Sequence, residues 1–290
     1  MPLDFTLNKY VEIITAISES GYQVITISDY ISLPKLPDKF IILRHDVDID
    51  SDYQVKFAEL EHSLGLRTSY YFRYVKNVYR KEAIDKVSQL AHEVGYHYEV
   101  FTKAKGDEDL AKDLFRTELA VFQQNWGSKT VCPHGGSFID NIEGYALKDV
   151  IKLIPKFFSS KSVFSPWSNF DLWNKNIFTD FQIIGDAYRS IDFSDILYLS
   201  DTGRSWDRRF KRLDKVDSSI NPLYDIRKSD EIIDLIKKGE VNKIYLLIHL
   251  EQWKHNLFEW ISWYIAQLIR RNGKKLIFKM KKSNLPHNNK

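Results

Sequence analysis

An apolar run that stops abruptly at a group of charged residues constrains this chain more than any other feature. Phe40-Ile41-Ile42-Leu43 is followed directly by Arg44-His45-Asp46-Val47-Asp48. A continuous apolar run is typical of a parallel strand buried on both faces, and the C-terminal ends of such strands carry the chemistry of α/β enzymes. Because side chains alternate, Asp46 and Asp48 share one face and His45 points to the other. The segment predicts either two carboxylates delivered to a cleft or a capped strand end with an Asp-rich surface turn.

The remainder of the chain alternates strand-like and amphipathic helical segments, a pattern typical of a parallel α/β fold. We predict one α/β domain over residues 1–290, with a long loop or inserted lobe at about 159–176, where the regular pattern is lost. The predicted helices are residues 53–64, 81–94, 107–126 and 257–271, and the predicted strands after the first are residues 68–72, 96–100, 130–132, 181–184, 196–199 and 243–248.

Composition excludes several classes of protein. The net charge of +3 is too small to indicate nucleic-acid binding. The single cysteine, Cys132, rules out an intramolecular disulfide framework and a cluster of thiolate ligands. The sequence contains no apolar run of about 18 residues, so we expect no membrane span. Residues 1–6 show no basic segment followed by an apolar stretch, and we therefore expect a cytoplasmic protein.

Histidines recur where predicted strands end. In a parallel barrel these ends meet on one face, and imidazoles with carboxylates suit a divalent ion such as zinc. Two of the other four histidines lie in predicted helices, one lies near a helix start and one in the tail, and we assign them structural roles. The strand-end histidines are His45, His97, His134 and His249, and the others are His62, His92, His255 and His287.

Each of these positions allows two interpretations. His97 shares a strand face with Glu99 and is either a metal ligand or a hydrogen-bonded structural histidine. His134 lies in a Pro-His-Gly-Gly segment, where Gly135 lets the backbone approach a ligand or simply forms a tight turn. A further group of polar and aromatic residues follows the strand at 196–199 in the same manner: Asp201, Arg204 and Trp206.

In this order the segments resemble the motifs of the polysaccharide deacetylase family, the NodB-like carbohydrate esterases, from Phe40 to Trp253. The resemblance implies a distorted (β/α)7 barrel and a metal-dependent hydrolase, with zinc the expected metal. Within the first motif it implies Asp46 as general base and Asp48 as metal ligand, or the reverse assignment. Ala91-His92-Glu93-Val94-Gly95-Tyr96-His97 resembles the second motif and implies His97 as a ligand. Leu247-Ile248-His249 resembles the last motif and implies His249 as general acid.

The chain departs from the family pattern at two places. The second metal histidine of the family would stand at Phe101, and the Arg-x-Pro-Tyr pattern, whose arginine orients the catalytic aspartate, is absent from the third motif at residues 132–136. We therefore expect His134 to supply the third ligand, with Glu99 as the alternative ligand or a substrate contact. We expect Gly135 to contribute a backbone N–H to oxyanion binding.

The expected substrate is an N-acetylated sugar or glycan precursor, because the family hydrolyses N-acyl groups on sugars. Asp201 or Arg204 would orient the catalytic groups, and Trp206 or Trp253 would stack on a sugar face. Two other functions fit the same residues. One is a related hydrolase of non-peptide C–N bonds on a small molecule, and the other is a catalytically silent carbohydrate-binding or scaffold protein.

Overall fold

A parallel β-sheet flanked by helices forms the centre of the molecule. In this computed structural model the described residues are 3–49, 53–76, 78–135, 168–170, 172, 178–208 and 216–265. The strands follow the order β6-β5-β4-β3-β2-β8-β7, every pairing is parallel, and β1 extends the sheet beside the first half of β2. The strands are β1 (Gln23–Ile25), β2 (Phe40–Val47), β3 (Ser69–Phe72), β4 (Glu93–Tyr98), β5 (Thr130–Pro133), β6 (Gly185–Asp186), β7 (Leu197–Ser200) and β8 (Lys243–His249).

Helices connect the successive strands from β1 to β5 and connect β7 to β8, as the alternating sequence pattern predicts. Several have clear capping signals: Asp107 caps the longest helix at its N-terminus, and Gly127 ends it with a left-handed φ of 62°. The helices are α1 (Leu7–Ser18), α2 (Ile27–Ser32), α3 (Tyr53–Ser63), α4 (Lys81–Gln89), α5 (Val100–Lys103), α6 (Glu108–Trp126) and α7 (Ser229–Lys238). Residues 257–265 are also helical, and short 3₁₀ turns lie at Phe178–Phe181, Asn221–Leu223 and Leu250–Gln252.

The sheet is strongly curled. Arg44 on β2 places its Nη2 atom 2.8 Å from Cys132 Sγ on β5 and its Nη1 atom 3.0 Å from the Tyr245 hydroxyl on β8. In a flat sheet β2 and β5 would lie about 14 Å apart, because two strands separate them at a spacing of about 4.8 Å. The contact therefore requires the sheet to wrap around its inner face, as in a half barrel. Among the described residues β6 and β7 remain the two ends of this sheet.

Alternation along β2 divides the core into an inner and an outer layer. Phe40 and Ile42 belong to the layer enclosed by the sheet, whereas Ile41 and Leu43 belong to the layer between the sheet and the helices. The same alternation places Arg44 and Asp46 inside and His45 outside. Thus the sequence-based expectation that His45 faces away from Asp46 is confirmed.

Two predicted elements are wrong. The helix predicted to continue to Val94 ends at Gln89, and Gly95 lies within β4 rather than closing a helix. Gly95 is required there because a Cβ atom would lie 2.3 Å from the Tyr71 ring. The strand predicted at residues 181–184 is instead the end of a 3₁₀ turn followed by β6 at Gly185.

Other expectations have mixed outcomes. Most of the predicted lobe at residues 159–176 lies outside the described residues, as do His287 and the last part of the predicted closing helix. None of the described helices is both long and apolar enough to cross a lipid bilayer. The cytoplasmic location and the single domain over residues 1–290 stay predictions.

Candidate metal and acid–base site

The C-terminal ends of β2, β4, β5 and β8 bring ionisable side chains together. Asp46 on β2 pairs in register with His249 on β8, so these two side chains stand next to each other on the inner face. His97 on β4 pairs in register with Cys132 on β5, and His134 follows β5 directly. Convergence at this edge follows from parallel pairing, which aligns all the strand ends.

Asp48, His97 and His134 form a group with the geometry of a metal site. Their ligand atoms all lie within 4.8 Å of one another. Asp48 Oδ1 is 3.4 Å from His97 Nε2 and 3.5 Å from His134 Nε2. The two imidazole rings are nearly perpendicular, with centroids 5.1 Å apart. The structure therefore brings together the three residues expected to be ligands.

The donor set of this group fits a divalent cation. Asp48 Oδ1 is buried, faces the Nε2 atoms of both imidazoles and meets no hydrogen-bond criterion among the described residues, which leaves it available to a cation. Burial and the nearby Arg73 guanidinium lower the pKa of His134 to about 3, so this imidazole is neutral and able to ligate at neutral pH. His97 Nδ1 lies 3.1 Å from the Cys132 carbonyl oxygen and donates to it, which leaves Nε2 for the cation. One carboxylate and two imidazoles suit zinc, although they do not identify the metal.

A second group, Asp46, His97 and Cys132, also lies within 4.8 Å, but Arg44 already supplies its positive charge. Arg44 donates to Asp46 through Nε at 2.8 Å and through Nη2 at 2.5 Å, and the same Nη2 contacts Cys132 Sγ. Burial disfavours ionisation of Asp46, but the Arg44 charge outweighs it and lowers the pKa of this carboxyl group. Burial raises the pKa of the Cys132 thiol well above its usual value, which keeps this thiol protonated and a poor ligand. The Asp48 group is therefore the better candidate for the metal.

Arg73 and Glu99 form one side of the candidate metal site, next to His134. Arg73 donates to the Asp48 carbonyl oxygen at 3.0 Å through Nη1 and to Glu99 Oε2 at 2.6 Å through Nη2. Glu99 Oε2 lies 3.5 Å from His134 Nδ1, on the far side of the imidazole from Asp48. Glu99 is therefore in a position to orient His134. His134, rather than Glu99, belongs to the group that converges on Asp48.

His249 is held by a carboxylate in a way typical of an acid–base histidine. Asp201 Oδ1 lies 2.7 Å from His249 Nδ1, and both Asp201 oxygens accept from the His249 backbone N–H at 3.0 Å. Trp253 Nε1 donates to Asp201 Oδ2 at 2.8 Å. Burial opposes protonation of His249, but Asp201 outweighs it and raises the pKa of this imidazole well above its usual value. The His249 imidazole next to Asp46 is therefore protonated at neutral pH.

Three other predicted site residues lie elsewhere or are covered. The Arg204 guanidinium packs 4.6 Å from the Trp260 ring and donates to the Trp260 carbonyl oxygen, and burial lowers its pKa to about 10. Of the two residues predicted to orient the catalytic groups, Asp201 contacts His249, whereas Arg204 contacts Trp260. Trp206 and Trp253 are 1% and 0% exposed, so neither has a ring face for a sugar, and the predicted stacking role is wrong. Gly135 follows His134 directly and is exposed.

Two arginines of the site were missed as functional residues. Arg44 takes the place beside Asp46 that the resemblance assigns to the absent arginine of the third motif. Two-residue periodicity within Arg44-His45-Asp46 was the signal that could have found it. Arg73 follows β3 directly, as the other site residues follow their strands, and was overlooked because no motif contains it.

Comparisons with models of known protein families, with curated proteins and with solved structures found no match to this chain. The polysaccharide deacetylase type of the barrel therefore stays a prediction from the motifs.

Proposed function

We propose that this protein is a metal-dependent hydrolase that removes an N-acyl group, such as acetyl, from a sugar or glycan precursor on a deacetylase-type barrel. One observation carries the proposal: a candidate ligand group, an ionised aspartate and a protonated histidine converge at one end of a parallel sheet. Hydrolysis of an amide bond needs a base for water, a stabiliser for the oxyanion and an acid for the leaving amine. Each requirement has a candidate here.

Asp48, His97 and His134 would hold the ion, and three protein ligands leave room for water and for the acyl oxygen. A divalent ion in this position would lower the pKa of water and stabilise negative charge on the acyl oxygen. Asp46 would accept the proton of the attacking water as the new C–O bond forms. Arg44 would keep Asp46 ionised and fix the direction of its oxygens.

His249 would complete the reaction by protonating the amine nitrogen as the C–N bond breaks. An unprotonated amide nitrogen is a very poor leaving group, so this proton is required. With Nδ1 bonded to Asp201, the Nε2–H of His249 would be the donor, and Asp46 is the register partner of His249 on the neighbouring strand. Trp253 would act on Asp201 rather than on the sugar.

The two other functions differ in their support. A silent scaffold was suggested by Phe101 and by the missing arginine of the third motif. Arg44 occupies the place beside Asp46, and His134 converges on Asp48, which favours an active site over a silent one. A hydrolase of C–N bonds on a small non-sugar molecule would use the same groups, and only substrates separate it from the proposed function.

The first test combines metal content with acetate release. Purified protein with zinc is expected to bind one ion per chain and to release acetate from a panel of N-acetylated sugars. Asp48→Asn is expected to lose both properties, because it removes the ligand charge. Asp38→Asn makes the same substitution on an exposed aspartate and should leave both unchanged.

Each outcome of this test selects one of the three functions. Acetate from amino sugars supports the proposal. Hydrolysis of small amides alone would favour the non-sugar hydrolase. Absence of a stoichiometric ion, with equal metal content in Asp48→Asn, would leave the silent scaffold.

A further inference from the structure

Two buried glutamates lie behind the site, on helices of the outer layer. Glu61 on α3 is 2.9 Å from His45 Nε2, and Glu118 on α6 accepts from the Tyr96 hydroxyl at 2.5 Å. Neither takes part in the proposed reaction. His45 stands directly before Asp46, and Tyr96 stands directly before His97.

The Glu61 carboxylate is saturated with donors from several elements. Its Oε1 atom accepts from the hydroxyl groups of Tyr10 on α1 and Tyr70 on β3, the latter at 3.1 Å, as well as from His45. Its Oε2 atom accepts from Thr68 Oγ1 at 2.6 Å. Four donors are about as many as a carboxylate can accept. The arrangement locks His45, and with it β2, to two helices and to the neighbouring strand.

Glu118 forms a similar anchor behind β4. Besides the Tyr96 hydroxyl, it accepts from Lys103 Nζ at 2.8 and 2.9 Å, and Lys103 also donates to the Tyr74 carbonyl oxygen at 2.9 Å. Tyr96 itself is fully buried and packs against Phe115 and Phe122 of α6. The packing of the ring and the hydrogen bond to Glu118 therefore hold the Tyr96 side chain in one position.

Alternation explains how an outward anchor acts on an inward side chain. Neighbouring residues on a strand share a peptide plane and point to opposite faces, so rotating the strand about its axis moves both. Metal ligation and proton transfer tolerate only about half an ångström of displacement. An anchor on His45 therefore restrains Asp46, and an anchor on Tyr96 restrains His97.

We propose that Glu61 and Glu118 are positioning residues, which hold β2 and β4 from behind at the residue next to an inward site residue. The inference rests on the proposed metal-dependent function for its purpose, but its geometry is independent of it. On β8 the corresponding outward residue is Ile248, and there Asp201 holds His249 directly from the inner side. Apolar residues of similar volume are often as stabilising as buried carboxylates. Stability alone therefore does not explain why glutamates occupy these two positions.

The decisive experiment removes one hydroxyl group behind the site and one far from it. Tyr96→Phe deletes the bond to Glu118 and keeps the ring. Tyr22→Phe deletes an equivalent buried bond, from the Tyr22 hydroxyl to the Val241 carbonyl oxygen, near the start of β8. Both full-length variants are measured well below their unfolding temperatures for zinc affinity and for the NMR resonances of the His97 ring without metal.

We expect Tyr96→Phe to weaken zinc binding about tenfold, as loss of an outer-shell partner does elsewhere, and to shift the His97 resonances. Tyr22→Phe should lose similar thermal stability and leave both measurements unchanged. Equal zinc affinities and equal His97 spectra in Tyr96→Phe and the wild type would overturn the role of Glu118.

Glu61 is tested in the same way with two variants. Glu61→Gln is expected to weaken zinc binding at least as much as Tyr96→Phe does. Should it fail to fold, Tyr10→Phe removes one donor and keeps the carboxylate, and it is expected to weaken zinc binding by a few-fold. The His97 ring reports on Asp46, because its Nε2 atom lies 3.6 Å from Asp46 Oδ2. Unchanged zinc affinity and unchanged His97 resonances in the folded variants would overturn the role of Glu61. If the wild type binds no zinc, the proposed function fails, and the His97 spectra alone decide the positioning role.

Discussion

Glu61 and Asp48 are two buried carboxylates close to β2, and their surroundings differ in one respect. Every Glu61 oxygen accepts hydrogen bonds, from two tyrosines, a threonine and His45. The Asp48 Oδ1 atom faces two imidazoles at 3.4 and 3.5 Å and has no hydrogen bond within the part of the chain that the structure describes. A saturated buried carboxylate is complete within the fold, whereas one with an unpaired oxygen among ligand-type nitrogens is completed by something that binds. On the outer side of β2 the Glu61 carboxylate therefore supports the fold, whereas on the inner side the Asp48 carboxylate is available for binding.

Substitution of Asp48 gives the largest expected effect and tests the inner face. Asp48→Asn is expected to lower kcat/KM for N-acyl hydrolysis about a thousandfold, or about 4 kcal/mol, because the ion that polarises the acyl group is lost. Without metal, the same variant should change the free energy of unfolding by less than about 1 kcal/mol. Steady-state kinetics and urea denaturation measure the two quantities. If Asp48→Asn were strongly destabilised and normally active, Asp48 would be a structural residue and not a functional one.

Substitution of Glu61 tests the outer face, and we expect its larger effect on stability, with zinc binding weakened but not abolished. Glu61→Gln is expected to lower the free energy of unfolding by about 3 kcal/mol, because it replaces a buried carboxylate that accepts from four donors with an amide whose NH₂ group faces donors. Glu59→Gln on the same helix changes an exposed glutamate and should have no such effect. Urea denaturation without metal compares the two. If Glu61→Gln proved as stable as Glu59→Gln, the saturated network would not be a structural anchor.

Substitution in the His249–Asp201 pair should give the third largest effect, and the direction in which the pH–rate profile moves tests the role of His249. Asp201 raises the pKa of His249, so the acid form is present at neutral pH and is lost as pH rises through that pKa. Asp201→Asn should therefore lower kcat about a hundredfold and move the alkaline limb of the pH–rate profile to lower pH. Trp253→Phe removes the tryptophan donor and keeps the carboxylate, so its alkaline limb should move less. An alkaline limb that stays in place in Asp201→Asn would exclude His249 as the acid.

Sequence alone predicted the parts of this site that follow from periodicity and strand ends. The strand at Phe40, the opposite orientation of His45 and Asp46, and the convergence of His97, His134 and Asp48 all follow from alternation and parallel pairing. The curl of the sheet was predicted as a barrel from the motifs, and the described strands agree with an α/β fold with a half-barrel sheet.

The rest depends on contacts that no short sequence window contains. Trp206 and Trp253 follow strand ends just as site residues do, but they pack against Phe5, which is distant in the sequence, and are covered. Glu61 lies on a helix whose pattern gives no sign that four donors surround it. Likewise, Gly95 looked like a helix end because its real partner, the Tyr71 ring, comes from a neighbouring strand.

Substitution of Arg73, which pairs with Glu99, should give the smallest effect. Glu99 shares features with both Glu61 and Asp48. Glu99 accepts from Arg73, as Glu61 accepts from His45, yet it faces the candidate ligand His134 at 3.5 Å. Arg73→Lys keeps the charge but cannot span the Asp48 carbonyl oxygen and Glu99 together, so zinc affinity should fall about tenfold. Arg67→Lys makes the same substitution on an exposed arginine and should leave the affinity unchanged. Competition with a chromophoric chelator measures both constants. Equal constants would show that His134 needs no support from Glu99, and that Asp48 and the imidazoles alone set the affinity of the site.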